Sequence, residues 1–125
     1  MANVKKDLIS VGTDIVEVAR VAKLIRNENF VRRIFTPEET AYCLFKKNRA
    51  QHFAVRFAAK EAVWKALSVT GVRGIGHKEI KIHRNPTGQP YVSLSSRLKK
   101  FEPGISLSLS HVREYAVAVA LFRKK

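Results

Sequence analysis

A single cysteine, Cys43, stands in a chain of 125 residues. One thiol excludes an intrachain disulfide and fits a reducing cytosol, and a buried structural role is expected for it ahead of a nucleophilic one. Long apolar runs are missing as well. The longest, Tyr115 to Phe122, falls far short of the ~20 residues that a membrane helix requires. Met1 to Ser10 carries Lys5, Lys6 and Asp7 and no apolar signal core, so a soluble, cytoplasmic protein with no membrane partner is expected. No repeat, low-complexity tract or linker is present, which predicts one domain over 1–125, inside the ~50 to ~250 residues of ordinary domains. Acidic residues are scarce: 10 Asp and Glu face 24 Lys and Arg, a formal net charge of +14. That surplus predicts an anionic partner: nucleic acid, a membrane surface, a phosphorylated ligand or an acidic protein. The basic residues are spread along the chain, and zinc spacings and an RNP-type aromatic strand are absent. These gaps weigh against the alternative reading, a small basic nucleic-acid-binding protein.

What is present reads as α+β. Ile9 to Val11 is a short β-like run broken by Gly12, after which Thr13 and Asp14 can cap a helix with Val18, Val21, Ala22 and Ile25 at helical spacing. Thr36-Pro37-Glu38-Glu39 starts a second helix, with Thr36 as N-cap, Pro37 at the first helical position and Glu39 closing a capping box. A third runs from about Ala50 to Val69, with Phe53, Phe57, Trp64 and Leu67 on its core side. The period then changes. Glu79 to His83 alternates, Asn85-Pro86-Thr87-Gly88 is a turn, and Tyr91 to Leu94 is the partner strand. After a short basic helical stretch (Ser96 to Lys100), Ile105 to Ser110 alternates strictly, and Tyr115 to Leu121 alternates large residues with alanines. The order predicts an N-terminal strand and helices followed by a mainly antiparallel sheet.

Three segments carry candidate chemistry. Gly12-Thr13-Asp14-Ile15 puts a carboxylate at a predicted strand-to-helix junction, where Asp14 could equally be an N-cap with Glu17 three residues on. Arg56-Phe57-Ala58-Ala59-Lys60-Glu61-Ala62-Val63-Trp64-Lys65-Ala66-Leu67 holds Glu61 and Lys65 four apart, which on its own is also the spacing of a surface ion pair. Leu107-Ser108-Leu109-Ser110-His111 ends a strand on a histidine that is either structural or functional.

Taken in this order, together with the Pro86-to-Pro90 turn and Tyr115-Ala116, the segments resemble the small phosphopantetheinyl transferases of the holo-acyl-carrier-protein synthase family. The resemblance spans nearly the whole chain, and its central motif is highly specific. Thr13 stands where the family usually has an apolar residue, and Leu109 replaces Ile or Thr; neither change removes a charged group. The resemblance implies the phosphopantetheinyl transferase fold and transfer of phosphopantetheine from coenzyme A to a serine of an acidic acyl carrier protein. Adenosine bisphosphate would be the leaving group, and the pathway served would be fatty acid biosynthesis. Asp14 and Glu61 match the metal carboxylates, and the cofactor implied is Mg2+, which needs only one or two carboxylates plus water and phosphate oxygens. Lys60 and Lys65 resemble the lysines that neutralise phosphates, with Lys65 and Glu61 as the catalytic pair. Glu61, or a water that it orients, is the candidate acceptor for the serine proton, unless the metal suffices. Arg56 and His111 look like coenzyme A contacts, and the turn with Gly88 and Pro90 resembles the loop beside the adenine. Arg20, six residues beyond Asp14 and on the same predicted helix, matches a salt bridge to the carrier. Arg26, Arg32 and Arg33 lie nearby, and Phe30 would offer apolar contact. A homotrimer with composite sites is also implied, and the Ala116, Ala118 and Ala120 face of the last strand would let another surface approach.

Overall fold

Alternation of period two begins at Leu8 and does not stop at Gly12. In the computed structural model, which describes residues 8–124, the first strand β1 runs unbroken over Leu8–Glu17. Lys5, Lys6 and Asp7 lie outside the described residues. Four α-helices follow: α1 (Val18–Leu24), α2 (Glu28–Ile34), α3 (Pro37–Leu44) and α4 (Arg49–Leu67). Two 3-10 turns (Ser68–Thr70 and His77–Glu79) lead to β2 (Ile80–Arg84), β3 (Pro90–Leu94), a longer 3-10 stretch (Ser96–Gly104), β4 (Ile105–His111) and β5 (Tyr115–Lys124). One antiparallel sheet has the order β1-β5-β4, and a second is the hairpin β2-β3. The α+β architecture predicted from the sequence is the one observed.

Two boundaries differ from expectation. Glycine costs a strand entropy but does not break it when neighbours hold it on both sides, and Gly12 pairs with Ala120 in full register. Asp14 therefore sits inside β1 and is neither a helix cap nor a junction residue. The N-cap of α1 is Glu17, which makes no side-chain capping bond, and Arg20 lies on α1 while Asp14 does not. The second difference is α2, a short helix the apolar period does not announce. Asn27 starts it, its Oδ1 accepting from the Asn29 and Phe30 amides. The capping box at Thr36 is present in both halves.

Small residues decide how α4 meets the sheet. Ala58, Ala62 and Ala66 are fully buried, as are Ala116, Ala118 and Ala120 on the inner face of β5, so helix and sheet backbones approach closely. A Cβ on Gly12 would stand 2.0 Å from the Ala62 carbonyl oxygen. The alanine face of β5 is thus filled by the chain's own helix, and the surface left open is the opposite one. There Ile9, Val11 and Ile15 are 60%, 57% and 62% exposed, beside Tyr115, Val119 and Leu121. Trp64, expected in the core, is 48% exposed, because α4 buries the seam 53-56-60-63-67 instead.

That seam holds a charge. Lys60 is fully buried, and its Nζ donates to Glu39 at 2.8 Å and to the carbonyls of Ile80 (2.7 Å) and His77 (3.0 Å). Glu39 accepts in addition from the Thr36 and Ile82 amides. One ion pair so ties α3, α4 and β2 together. Burial of this kind costs both groups their hydration, and the remaining donors and acceptors must all be matched.

Cys43 is buried on α3, and burial pushes its thiol up to about 11. Thiolate is the reactive form, so the native protein at pH 8 is expected to resist iodoacetamide, with alkylation appearing only as urea unfolds it. Rapid labelling of the native state, read by mass spectrometry, would refute that.

Candidate active site

The contact that requires Gly12 also places Asp14. Residues two apart share a strand face, so Asp14 points, like Gly12, toward α4. There Lys65 reaches back: its Nζ donates to the Thr13 carbonyl at 2.8 Å and to Asp14 Oδ1 at 3.3 Å. The second carboxylate oxygen, Asp14 Oδ2, is buried with no hydrogen-bond partner. Burial raises the Asp14 carboxyl above its ordinary range; Lys65 opposes the shift, the nearby Glu61 adds to it and Arg20 opposes it. A buried carboxylate oxygen without a donor is costly unless a cation or solvent satisfies it.

Glu61 stands one turn before Lys65 on α4. It makes no ion pair with Lys65 in the surface style; its Oε2 meets His77 Nε2 at 2.6 Å. A cleft of about 240 Å³ opens beside it, lined by Glu61, Trp64, Ile75, Gly76, His77 and Ile80. Two carboxylates and an ammonium thus converge at one point of contact between β1 and α4. Among the described residues no group of three or more His, Cys, Asp or Glu converges. The oxygen-rich, two-carboxylate character fits a hard cation that keeps water and phosphate oxygens for its other positions. It does not fit zinc.

The other residues singled out in the sequence are placed as follows. Arg56 is buried, with its guanidinium 4.2 Å from the Tyr42 ring and donating to the His52 carbonyl. It lines a cationic cleft with Lys81, His83 and Arg84. Arg84 donates to the Gly88 carbonyl, which ties the turn with Gly88 (φ 88°) and Pro90 to that cleft. His111 is exposed at the end of β4 and lines a cleft with Lys47, Arg49 and Arg113 at the first turn of α4. Asp14 and Leu109 both lie opposite Ala118 on β5, so His111 stands two strands over and two residues along from Asp14, about 12 Å between backbones at ordinary strand spacings. Arg20 and Arg26 are exposed.

Two assignments are corrected. Lys60 cannot neutralise a phosphate here, since its ammonium is sealed in the core with all three donors spent on protein oxygens. Phe30 is half-buried and turned onto Phe35 and Phe57 (centroids 6.4 and 5.9 Å), so its ring serves the core before any partner. His77 was missed altogether. Its only signal is its place just after the Gly74-Ile75-Gly76 run, and nothing local says that the run folds back on Glu61.

The class of protein comes from the comparison with known families: the chain belongs to the 4′-phosphopantetheinyl transferase superfamily, whose family model matches residues 10–120. Within it the chain groups with the holo-acyl-carrier-protein synthases, and it is an enzyme, a phosphopantetheinyl transferase. The holo-[acyl-carrier-protein] synthase of Clostridium acetobutylicum is 44% identical over 117 residues, covering 89% of this chain and 94% of the relative. That of Chlamydia felis is 48% identical over 116 residues, with 89% and 93% covered. Among solved structures, a Chronobacterium ammoniagenes ACPS-CoA complex superimposes with a TM-score of 0.80 at 26% identity, over 94% of this chain and 98% of that one.

Proposed function

We propose that this enzyme moves the 4′-phosphopantetheine arm of coenzyme A onto a serine hydroxyl of an apo acyl carrier protein. The reaction depends on Mg2+, releases adenosine 3′,5′-bisphosphate, and serves fatty acid biosynthesis in the cytoplasm. The observation that carries this reading is the orphaned Oδ2 of Asp14 beside Glu61 and Lys65. Asp14 and Glu61 would hold the Mg2+, which when bound supplies positive charge to the phosphate oxygens. Lys65, half-exposed between the strand and the cleft, neutralises charge that grows on the oxygens in flight. The serine oxygen attacks phosphorus, the bond from phosphorus to the bisphosphate oxygen breaks with its electron pair, and the serine proton passes to Glu61 or to a water that it orients. Arg56, Gly88, Pro90 and His111 are proposed to hold coenzyme A. Supporting that donor, the solved relative named above is a complex with CoA, and no helix among the described residues is long and apolar enough to cross a membrane. The deciding experiment incubates the enzyme with coenzyme A, Mg2+ and apo carrier and weighs the carrier. A gain of one phosphopantetheine is expected; no gain refutes the reading.

The assembly proposed is a homotrimer with composite sites. The feature that supports it is the outer face of β1, where Ile9, Val11 and Ile15 stand exposed beside Val119 and Leu121 of β5, since contiguous exposed apolar surface marks an interface. Sedimentation is expected to give a species of three chains, and an active monomer of 14.1 kDa would refute it.

The carrier is proposed to dock at Arg20 and Arg26, both exposed, with Arg20 close enough to Asp14 to act on its carboxyl. Exposed charges act mainly on encounter rate and are screened beyond ~8 Å at physiological salt. Arg20→Ala is therefore expected to raise the carrier KM severalfold and flatten its dependence on NaCl, with the coenzyme A KM unmoved. A carrier KM insensitive to salt in the parent enzyme would count against electrostatic docking.

A further inference from the structure

Four rings stand in file from the core to the site. Phe35 meets Phe30, Phe30 meets Phe57 at 5.9 Å, and Phe57 stacks on the His77 imidazole at 5.9 Å with 20° between planes. His77 is held a second way, by its own backbone: its carbonyl accepts from the buried ammonium of Lys60 at 3.0 Å. The imidazole is thus fixed in plane by a stacked ring and in position by a core ion pair. Its Nε2 lies 2.6 Å from Glu61 Oε2. A carboxylate has only acceptor oxygens, so the ring nitrogen is the donor, and this bond fixes both the tautomer of His77 and the rotation of the Glu61 carboxylate.

We propose that His77 is the positioning residue for Glu61: by donating from Nε2 to Oε2 it turns Oε1 toward the orphaned oxygen of Asp14, where the divalent cation binds. The inference rests on the reading of Glu61 as a metal ligand. Its physical logic is that a ligand free to rotate loses affinity to disorder, whereas an outer hydrogen bond holds the ligand atom and raises its basicity. An aromatic residue of similar size at position 77 would keep the stacking on Phe57 and lose only the donor.

The test titrates Mn2+ into chelator-stripped enzyme at saturating coenzyme A with no carrier present, reading free Mn2+ by electron paramagnetic resonance. Parent, His77→Phe, His77→Gln and Glu61→Gln are compared, with thermal unfolding as the check on folding and His77→Met as a second donorless variant should His77→Phe not fold. The expected result is binding about ten- to a hundredfold weaker in His77→Phe, the range found for outer-shell partners of metal ligands. His77→Gln, whose amide can donate in the same place, should regain most of it. The Mg2+ concentration for half-maximal transfer should rise in step, with the carrier KM unmoved. Parent-like Mn2+ binding in His77→Phe, or no recovery in His77→Gln, with binding lost in Glu61→Gln, overturns the positioning role alone. Undiminished binding in Glu61→Gln overturns the metal assignment and the inference with it.

Discussion

Asp14→Ala and Glu61→Gln are each expected to lower transfer by about a thousandfold, or ~4 kcal/mol at ~1.4 kcal/mol per decade. Fold stability should be little changed. The size follows from the site's economy. Among the described residues only two carboxylates converge, so removing either halves the protein's share of a cation's ligands and leaves Lys65 to meet the phosphate charge with less help. Asp14→Ala also deletes the orphaned oxygen, whose burial is a cost to the apo fold, so this variant is expected to melt at or slightly above the parent temperature. A loss of activity with raised or equal stability is the signature of a functional carboxylate. If either variant, shown folded by circular dichroism, kept more than a tenth of parental activity in Mg2+, the two-carboxylate site would be wrong.

Lys60→Met should instead strike the fold. Removing one partner of a buried ion pair costs ~3–5 kcal/mol, against the ~5–15 kcal/mol that hold a domain together. Here the loss is compounded, because the carbonyls of His77 and Ile80 lose their donor and Glu39 keeps an uncompensated charge in the core. The usual rescue, replacing both partners by apolar groups, should fail in Lys60→Met/Glu39→Leu. Glu39 also accepts from the Thr36 and Ile82 amides, and these would be left buried and unpaired. Urea unfolding followed by fluorescence of the lone tryptophan, Trp64, measures both variants. A Lys60→Met protein as stable as the parent but with a raised coenzyme A KM would restore Lys60 to the phosphates.

The contrast between these two residues shows where sequence reading succeeds and stops. That Asp14, Glu61 and Lys65 belong together was legible from the order of their motifs, and the structure places them side by side, though the reason for Gly-x-Asp became visible only in the contact of Gly12 with Ala62. Lys60 was misassigned because the motif places it next to Glu61. The helical period held the answer: 53, 56, 60, 63 and 67 fall on one stripe, and Phe53, Val63 and Leu67 on it are core. A lysine there is buried whatever its neighbours in sequence suggest. Its acid, Glu39, was identified for a different task, the capping box. The strand was cut short at Gly12 because glycine reads as a breaker, whereas partners on a sheet outvote that local preference. Short α2 carries too few turns for a period, and Phe30 was given to a partner because no pattern showed two more rings waiting for it. His77 depends on a loop closing across sixteen residues, a distance at which local patterns are silent.

The pairing of β1 with β5 has a consequence for synthesis. Asp14 lies opposite Ala118, so the carboxylate emerges from the ribosome about a hundred residues before the strand that seats it. A nascent chain that has reached Glu114 already contains Asp14, Glu61, Lys65 and His77, yet its first strand has no pairing partner and its long helix only the β2-β3 hairpin to lie on. The carboxylate cluster is therefore seated only when β5 arrives, in a single late step that pairs β1 with a strand about a hundred residues away. Until then the unfinished polypeptide carries the residues of a site without the site.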